Sequence, residues 1–242
     1  MYLIIDIGNT LHKTALFSED GKLLKLWKYR QLTTQRIAVL FARYDITHTI
    51  LSSVGSYNNE IERKIQRYCP LIKLSDDIQL PIKVNYGTPD SLGSDRIANA
   101  VGANKLYPNQ KVLSIQAGSC LVCDFINEKN EYLGGSISPG IDMRFKALRK
   151  YTKKLPLVKK NLTEGIIGTS TEESILNGVM NGIVFEIEGT IAAYTQQYGD
   201  MKVLLTGGDA DLLQKSIKFP IFAAPNIVLW GLFEILRYNV EK

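Results

Sequence analysis

The sequence predicts an α/β fold made of two halves of one design, which face each other across a central cleft. Two observations carry this prediction. A strand, a glycine-containing turn and two further strands occur twice along the chain, once around Gly8 and once around Gly118. Helical patterns and a short apolar run, typical of a buried parallel strand, follow each three-strand unit. The alternative is a single mixed α/β domain whose internal similarity arises by chance.

Apolar alternation and turn residues define the first half. Residues 2–7 form an apolar run, Gly8-Asn9-Thr10 is a turn, and Ser18-Glu19-Asp20-Gly21 is a second turn. The predicted elements of this half are strands at 2–7, 11–17, 22–29 and 49–52 and helices at 33–44, 58–68 and 94–106.

The second half repeats this order. Ala117-Gly118-Ser119 predicts the turn after its first strand, and Tyr107-Pro108-Asn109 is a turn-rich boundary between the halves. The predicted elements are strands at 111–116, 120–126, from Glu131 toward Gly134-Gly135, and 202–206, and helices at 142–151, 171–197 and 226–238. We therefore expect one domain at 1–107 and a second at 108–242.

Composition excludes several classes of protein. The 242 residues are 45% apolar and 22% charged, which is ordinary for a globular protein and not for a disordered, collagenous or coiled-coil chain. Lys and Arg exceed Asp and Glu by 29 to 24, a surplus that suits small anions as well as nucleic acid. Three cysteines are too few for a disulfide scaffold, and the apolar runs are too short to span a bilayer. We expect a cytoplasmic protein with no membrane partner.

The first glycine turn is a candidate phosphate-binding loop. Gly8 follows a buried strand, where backbone N–H groups near a glycine can form a concave anion site. Asp6 suits Mg²⁺, which in turn holds phosphates, and Lys13 adds a positive charge. An ordinary hairpin turn is the alternative. A second turn at Gly118-Ser119 and the pair Gly207-Gly208 favour a nucleotide, although neither GxxxxGK[ST] nor GxGxxG is present.

The segment from Tyr86 to Arg96 is the densest polar stretch and a candidate substrate loop. Ser94 is predicted to be the N-cap of the helix at 94–106, which places Asp95 in its first turn. A carboxylate there suits a general base for an alcohol, and an arginine matches a carboxylate or phosphate. The alternative for Asp95 is structural, because an acid at a helix start interacts favourably with the helix dipole.

The start of the longest predicted helix and a pair of cysteines have structural interpretations. Ser170 and Glu173 fit a capping box, which leaves the hydroxyl of Thr171 available to a ligand. Cys120 and Cys123 lie three apart on a strand, so we expect packing residues rather than a zinc or redox site.

A run of basic residues is the only feature that favours nucleic acid. Few aromatic residues accompany it, so we expect a solvated surface and no nucleic-acid partner. Trp230 is expected in the core or in a subunit contact. The basic residues are Arg144, Lys146, Arg149, Lys150, Lys153, Lys154, Lys159 and Lys160.

Taken together, the motifs resemble the type III pantothenate kinases of the acetate and sugar kinase/Hsp70/actin superfamily, nearly from end to end. LGSDR at 92–96 and GGSISPG, within the matching segment YLGGSISPG at 132–140, are the most specific segments. The other matching segments are DIGNTLHK at 6–13, YGTP at 86–89, LP at 155–156, IGTST at 167–171, LTGG at 205–208 and PN…GL between 225 and 232. The resemblance implies two ribonuclease-H-like (actin-like ATPase) domains with a central cleft.

The resemblance also implies an activity and its residues. It implies phosphorylation of pantothenate to 4'-phosphopantothenate, the first step of coenzyme A biosynthesis, by a homodimer whose substrate site lies near the subunit boundary. ATP with Mg²⁺ would be the donor, Asp95 the proton acceptor, and K⁺ or NH₄⁺ the monovalent cation. The residues implied to bind ATP are Asp6, Ile7, Gly8, Asn9, Thr10, Leu11, His12, Lys13 and Ser119. Those implied to contact pantothenate are Tyr86, Gly93, Ser94, Asp95, Arg96 and Thr171.

Two positions depart from the family pattern. Ser119 stands where the family has an ATP-binding threonine, which keeps the hydroxyl. Gln116 stands where the family has an aspartate that binds the monovalent cation, and its carbonyl offers a dipole in place of a full charge. The turn at Gly118 separates Gln116 from Asp124, so we do not expect Asp124 to substitute.

Two alternatives from other classes stay open at this point. One is a kinase of the same superfamily that acts on another small alcohol. The other is a non-catalytic regulator of the kind described as Bvg accessory factors. The retained Asp6, Asp95 and Arg96 favour an active enzyme.

An apolar stripe on the longest predicted helix bears on the expected homodimer. Its residues recur at helical spacing, so they form either a subunit contact or part of the core. They are Ile175, Val179, Ile183, Ile187 and Ile191.

Overall fold

The computed structural model describes residues 1–74 and 78–241 and divides into two compact α/β units. The first unit contains Met1–Pro108, Asn130–Tyr132 and Asn226–Lys242, and the second contains Asn109–Lys129 and Leu133–Pro225. In chain order the elements are β1 (Tyr2–Ile7), β2 (His12–Phe17), β3 (Leu23–Tyr29), α1 (Thr34–Arg43), β4 (His48–Ser53), α2 (Glu60–Gln66), β5 (Leu71–Lys73), β6 (Lys83–Val84), a 3-10 helix (Pro89–Ser91), α3 (Ser94–Leu106), β7 (Val112–Ala117), β8 (Cys120–Ile126), β9 (Glu131–Pro139), α4 (Ile141–Tyr151), α5 (Thr171–Tyr198), β10 (Lys202–Thr206), α6 (Ala210–Leu213), β11 (Phe222–Ala223) and α7 (Ile227–Val240).

The first unit is built on a five-stranded sheet with the order β3-β2-β1-β4-β5. β1 pairs antiparallel with β2 and parallel with β4, so the central strand joins a hairpin to a parallel pair. Leu3, Ile5 and Ile7 of β1 pack in one core with apolar residues of α1 and α2. On the other face, Phe17 of β2 stacks on Phe233 of α7 with 4.8 Å between ring centroids.

Helix α7 completes the first unit by packing closely on α3. A Cβ atom on Gly231 would lie 1.7 Å from the carbonyl oxygen of Ala98, so the two backbones touch at this point and only glycine fits. Trp230 is half-buried and contacts Phe17 at 4.9 Å between centroids, so it packs beside this core. The expected C-terminal domain at 108–242 therefore differs from the structure, because the apolar side chains of α7 cover the open face of the first sheet.

The second unit repeats the topology of the first. Its strands follow the order β11-β10-β7-β8-β9, in which β7 pairs antiparallel with β8 and parallel with β10. Counted from the hairpin side, this is the strand order of the first sheet. The repeat predicted from sequence is therefore present as two sheets of one design. The short strand β6 pairs with Glu131 and Tyr132, which belong to the first unit.

The apolar stripe of α5 lies in the core of the second unit. All five of its isoleucine and valine residues are buried there against β7, β8 and β10. The stripe is therefore explained without a partner subunit. Among the described ranges 1–74 and 78–241, no helix is both long enough and apolar enough to cross a membrane.

Most of the basic run lies on the surface, as expected. Seven of its eight residues are exposed and Arg144 is half-buried, and both Arg144 and Lys160 form ion pairs. Arg144 donates to the carbonyl oxygen of Pro139 at 2.8 Å and pairs with Glu186 of α5. Cys123 is buried, as predicted for a packing residue, and burial raises the pKa of its thiol to about 11.

Candidate active site

A row of polar side chains crosses the first sheet where β1 ends. Asp6 of β1 is the register partner of Lys13 on β2 and of Ser52 on β4. Partners in register share a face of the sheet, so these three side chains project together. Lys28 of β3 is the partner of Lys13 and extends the row. The alternation of strand residues would have revealed Lys28 from the sequence, had the hairpin register been known.

Burial dominates the electrostatics of this row. Asp6 is 9% exposed, and burial raises the pKa of its carboxyl to about 6, with Lys13 opposing and Asp95 reinforcing the shift. Burial also lowers the pKa of the Lys13 ammonium, and the positive charge of Lys28 acts in the same direction. The carboxyl group of Asp6 and the ammonium group of Lys13 are therefore both partly shielded from water, which favours the binding of charged ligands.

The predicted phosphate loop divides into two kinds of residue. Gly8 donates its N–H to the carbonyl oxygen of Leu11 at 3.2 Å, which closes the turn, and Asn9 and Thr10 at its tip are exposed. Ile7 and His12 face the opposite side from Asp6. There Ile7 is part of the core and His12 Nδ1 accepts the backbone N–H of Leu32 at 3.1 Å. Ile7 and His12 therefore have only backbone groups to offer a ligand. The other residues at 6–13 keep their predicted role in ATP binding without this restriction: Asp6, Gly8, Asn9, Thr10, Leu11 and Lys13.

The start of α3 brings Asp95 to the same unit. Gly93, and not Ser94, is the N-cap residue, so the predicted cap is displaced by one position. The hydroxyl of Ser94 is engaged elsewhere: it accepts from Ser52 Oγ at 2.9 Å, which ties α3 to the end of β4. A Cβ atom on Gly93 would lie 2.7 Å from Oδ1 of Asp95, so glycine leaves room for this carboxylate. Burial is the largest cause of the raised pKa of Asp95.

Arg96 is held between two tyrosines of the first unit. Its guanidinium carbon lies 5.6 Å from the ring centroid of Tyr86 and 5.9 Å from that of Tyr132. Nη1 of Arg96 also donates to the hydroxyl of Tyr86 at 3.5 Å. Aromatic faces hold a guanidinium without neutralising it, which suits recognition of an anion. Sequence reasoning matched Tyr132 to the family motif at 132–140 but gave it no role in the site, because its contact with Arg96 is not visible in the order of residues.

Three glycine-containing segments meet at the edge of the second sheet. Gly140 donates its N–H to the carbonyl oxygen of Ser119 at 3.2 Å, and Asp209 donates to that of Ala117 at 3.1 Å. Gly207 adopts φ +101°, and a Cβ atom there would lie 2.0 Å from the carbonyl oxygen of Ala117. The carboxyl ends of parallel strands β7 and β10 coincide here, which explains why their turns touch.

Gln116 lies next to this turn, and its side-chain oxygen is unusual. Oε1 is buried and accepts no hydrogen bond from protein groups, so this dipole has no protein partner. The register pairs Ser114 with Asp124, which places Asp124 on the same face of the sheet as Gln116. The hairpin folds β8 back beside β7 with matching parity, so the Gly118 turn does not place the two side chains on different faces. The expectation that Asp124 does not substitute for a carboxylate at position 116 stays a prediction.

Thr171 stands in a groove of about 1080 Å³ on the second unit. It is exposed at the first position of α5, next to Ser170, whose hydroxyl accepts the backbone N–H of Glu173 at 3.2 Å. The carboxylate of Glu173 accepts the N–H of Thr169 at 2.8 Å and is also stabilised by the backbone N–H of Ser170. The predicted capping box of Ser170 and Glu173 is therefore present, and Thr171 is exposed to solvent.

Comparison with known families decides the class of the protein. The sequence model of type III pantothenate kinase matches residues 2–193. The chain belongs to the type III pantothenate kinase family. As a member of this family the chain is a kinase. The alternative of a non-catalytic regulator is therefore set aside.

Curated members of the family are similar over their full length. The type III pantothenate kinase of Cytophaga hutchinsonii is 45% identical over 240 residues, which cover 99% of this chain and 100% of that protein. That of Christiangramia forsetii is 42% identical over 240 residues, which cover 99% of each chain.

Solved structures with low sequence identity share the fold. A Campylobacter jejuni protein named after the Baf family of transcriptional activators has a TM-score of 0.61 at 22% identity, covering 99% of this chain and 100% of its own. The activator of 2-hydroxyisocaproyl-CoA dehydratase from Clostridium difficile, solved with bound ADPNP, has a TM-score of 0.54 at 15% identity, covering 99% and 94%. A ROK family protein from Streptococcus pneumoniae has 0.52 at 12%, covering 99% and 100%. The predicted class, two α/β domains of the actin-like ATPase type, is confirmed.

Neutralising the buried acid of this kinase should make the protein more stable. Folding raises the pKa of Asp6 from 3.8 to about 6, so the folded state binds the carboxyl proton of Asp6 more tightly than the unfolded state does. The stabilisation of the folded state by this proton is lost as the pH rises through this range. Asp6→Asn should therefore raise the free energy of unfolding at neutral pH by about 3 kcal/mol, measured by urea denaturation. The gain should vanish below about pH 4. Asp20→Asn, at an exposed turn, should change neither value. An Asp6→Asn protein that is less stable at neutral pH contradicts the prediction.

Proposed function

We propose that the chain transfers the γ-phosphoryl group of ATP to the primary hydroxyl of pantothenate, with Asp95 as the proton acceptor. One observation carries the assignment of the base: the carboxylate of Asp95 occupies the space that a side chain at position 93 would need, in the same unit as the Asp6–Lys13 row. The oxygen of the hydroxyl attacks the γ-phosphorus, its proton passes to Asp95, and ADP leaves with the bridging oxygen.

The raised pKa of Asp95 suits this role. Burial holds the carboxylate in a less polar environment than water, which makes it a stronger proton acceptor than an exposed aspartate. The N–H of Arg96, which donates to Asp95 Oδ1 at 2.9 Å, orients the carboxylate. These two features support a base that is oriented before the substrate binds.

The residues proposed to hold the two substrates fall into two groups. For ATP, the Lys13 ammonium and the backbone N–H groups at 9–11 supply positive charge and donors, and Ser119 supplies a hydroxyl. For pantothenate, an anion, the guanidinium of Arg96 supplies charge, and Tyr86, Ser94 and Thr171 supply hydroxyls.

Mg²⁺ fits the chemistry of Asp6. Among the described residues, no three His, Cys, Asp or Glu side chains cluster as a metal site, so the protein offers no closed cage. Mg²⁺ is usually bound through one or two carboxylates together with substrate phosphates, and Asp6 is such a carboxylate. When bound, the ion would neutralise phosphate charge, while Asp6 and Lys13 hold and orient the phosphates.

Removing the proton acceptor should abolish most of the turnover. Asp95→Asn keeps the shape of the side chain, and loss of a general base typically costs about 10²- to 10⁴-fold in rate. We expect kcat to fall by this factor with ATP and pantothenate, while the KM for ATP changes little. Asp90→Asn, in the same segment but on the exposed 3-10 helix, is the matched control. Should Asp95→Asn keep most of the turnover, another group accepts the proton.

Gln116 is proposed to change how the enzyme uses a monovalent cation. Its orphaned Oε1 fits a cation as a dipole, but it lacks the charge of the aspartate that the family pattern has. Interactions with charged groups are worth about 1.5–3 kcal/mol, so the affinity for K⁺ should be about ten- to hundred-fold weaker than with a carboxylate.

Potassium titration tests whether position 116 sets the K⁺ requirement of the enzyme. The wild type should need high K⁺ for activation or be nearly indifferent to it, and Gln116→Asp should shift activation to lower K⁺. Gln110→Asp adds the same charge at an exposed position before β7 and should have no effect. Strong activation of the wild type at low K⁺, unaltered in Gln116→Asp, would show that position 116 does not set cation use.

A homodimer is proposed on a different surface from the buried stripe. The outer side of α5 carries Phe185, which is 56% exposed, and Gly178, Gly182 and Gly189 have open space around them. Residues three and four apart share a helix face, and glycine lets another backbone approach closely. This face is therefore suited to a second copy of the chain.

The mass in solution tests the dimer. Sedimentation at micromolar concentration should give twice the chain mass of 27.1 kDa. Phe185→Lys should shift the protein toward the monomer, because a charge in a closed helix contact is costly. Val39→Lys, at an exposed position of α1, should leave the mass unchanged. A wild-type monomer under these conditions refutes the dimer.

A further inference from the structure

The ammonium group of Lys160 bridges two segments of the second unit. Its Nζ donates to Oδ1 of Asp209 at 2.7 Å and to Oδ2 of Asp142 at 3.2 Å. Asp209 follows the glycine pair at the end of β10, and Asp142 lies in the first turn of α4. Lys160 itself lies in the irregular segment 152–170 between α4 and α5. One side chain therefore ties together three parts of the chain.

Both bridged segments rest on the backbone turn at 117–119. Asp209 donates its N–H to a carbonyl oxygen of this turn at 3.1 Å, and Gly140, two residues before Asp142, donates to another at 3.2 Å. Neither side has room for a side chain, because a Cβ atom on Gly207 or Gly140 would lie about 2 Å from a carbonyl oxygen of the turn. Close backbone contacts therefore hold the turn from two sides.

We propose that Lys160 is a positioning residue for nucleotide binding, because it holds Asp142 and Asp209 on the two sides of the turn at 117–119. The inference rests on the proposed function, in which Ser119 of this turn binds ATP. Lys160 acts through its two partners, which keep the backbone N–H groups of the turn oriented toward the phosphates. Sequence reasoning placed Lys160 among solvated basic residues, because nothing local distinguishes it from Lys159.

The two arms of this bridge differ in strength. The side chain of Asp209 is 10% exposed, and a buried carboxylate is costly unless a counter-charge and hydrogen bonds compensate it. The side chain of Asp142 is 56% exposed, so solvent screens its pairing. Burial alone lowers the pKa of Lys160, but its hydrogen bonds to the two aspartates raise it overall, so the ammonium stays charged. Asp209 is therefore the partner on which the position of the turn mainly depends.

Direct measurement of ADP binding tests the proposal without relying on turnover. By calorimetry, Lys160→Met should raise the Kd for ADP about ten-fold, the order expected for loss of one charged hydrogen bond. Lys160→Arg keeps the charge and should restore most of the affinity. Lys159→Met, at the exposed neighbouring position, should bind ADP like the wild type. In kinetics, Lys160→Met should raise the KM for ATP and leave the KM for pantothenate unchanged.

A double-mutant cycle distinguishes positioning from direct contact with the nucleotide. If Lys160 acts through Asp209, then Asp209→Asn alone should also weaken ADP binding, and adding it to Lys160→Met should cause little further loss. The proposal is overturned if Lys160→Met binds ADP within about two-fold of the wild type, or if Asp209→Asn has normal affinity while Lys160→Met has lost it. Turnover of pantothenate by the wild type, measured separately, tests the proposed function alone.

Discussion

The register of a central strand with its two neighbours is the constraint on which the site depends. Side chains along a strand alternate between faces, so pairing β1 with β2 and β4 in one register fixes Asp6, Lys13 and Ser52 on the same side. A slip by one residue would turn Asp6 into the core and bring Ile7 outward. β7 repeats this arrangement in the second unit with Gln116 and its neighbours. The chemistry of the family is therefore placed by apolar burial, which selects the register.

The sequence was sufficient for features that local pattern determines. Apolar runs bounded by turn residues located β1, β4, β7 and β10, and the repeated order of strand and glycine turn predicted two sheets of one design. It was insufficient where a partner far away in the chain decides the outcome. Asp124 shares a face with Gln116 because of the hairpin register, and the hydroxyl of Ser94 accepts from Ser52 while Gly93 is the N-cap residue. Neither partner is visible in the order of residues.

The buried carboxyl groups of Asp6 and Asp95 lower the stability of the folded kinase. Asp6 and Asp95 are both held at raised pKa by burial, and the negative charge of Asp95 adds to the shift at Asp6. Two acids that repel each other in one unit weaken the folded state when no ligand is bound. The same arrangement favours cations and proton transfer, because the binding of either relieves the repulsion. Function at this edge of the sheet and stability of the empty protein are therefore opposed.

The return of α7 to the first unit has a consequence for synthesis on the ribosome. Phe17 leaves the ribosome early, but Phe233, on which it stacks, follows only after the whole second unit has been made. All residues of the second unit are present once Pro225 has emerged, so that unit can reach its final state first. Until then the first sheet has one uncovered apolar face, which is a surface that chaperones recognise and that drives aggregation. The first unit, whose synthesis begins first, is therefore the last to be completed.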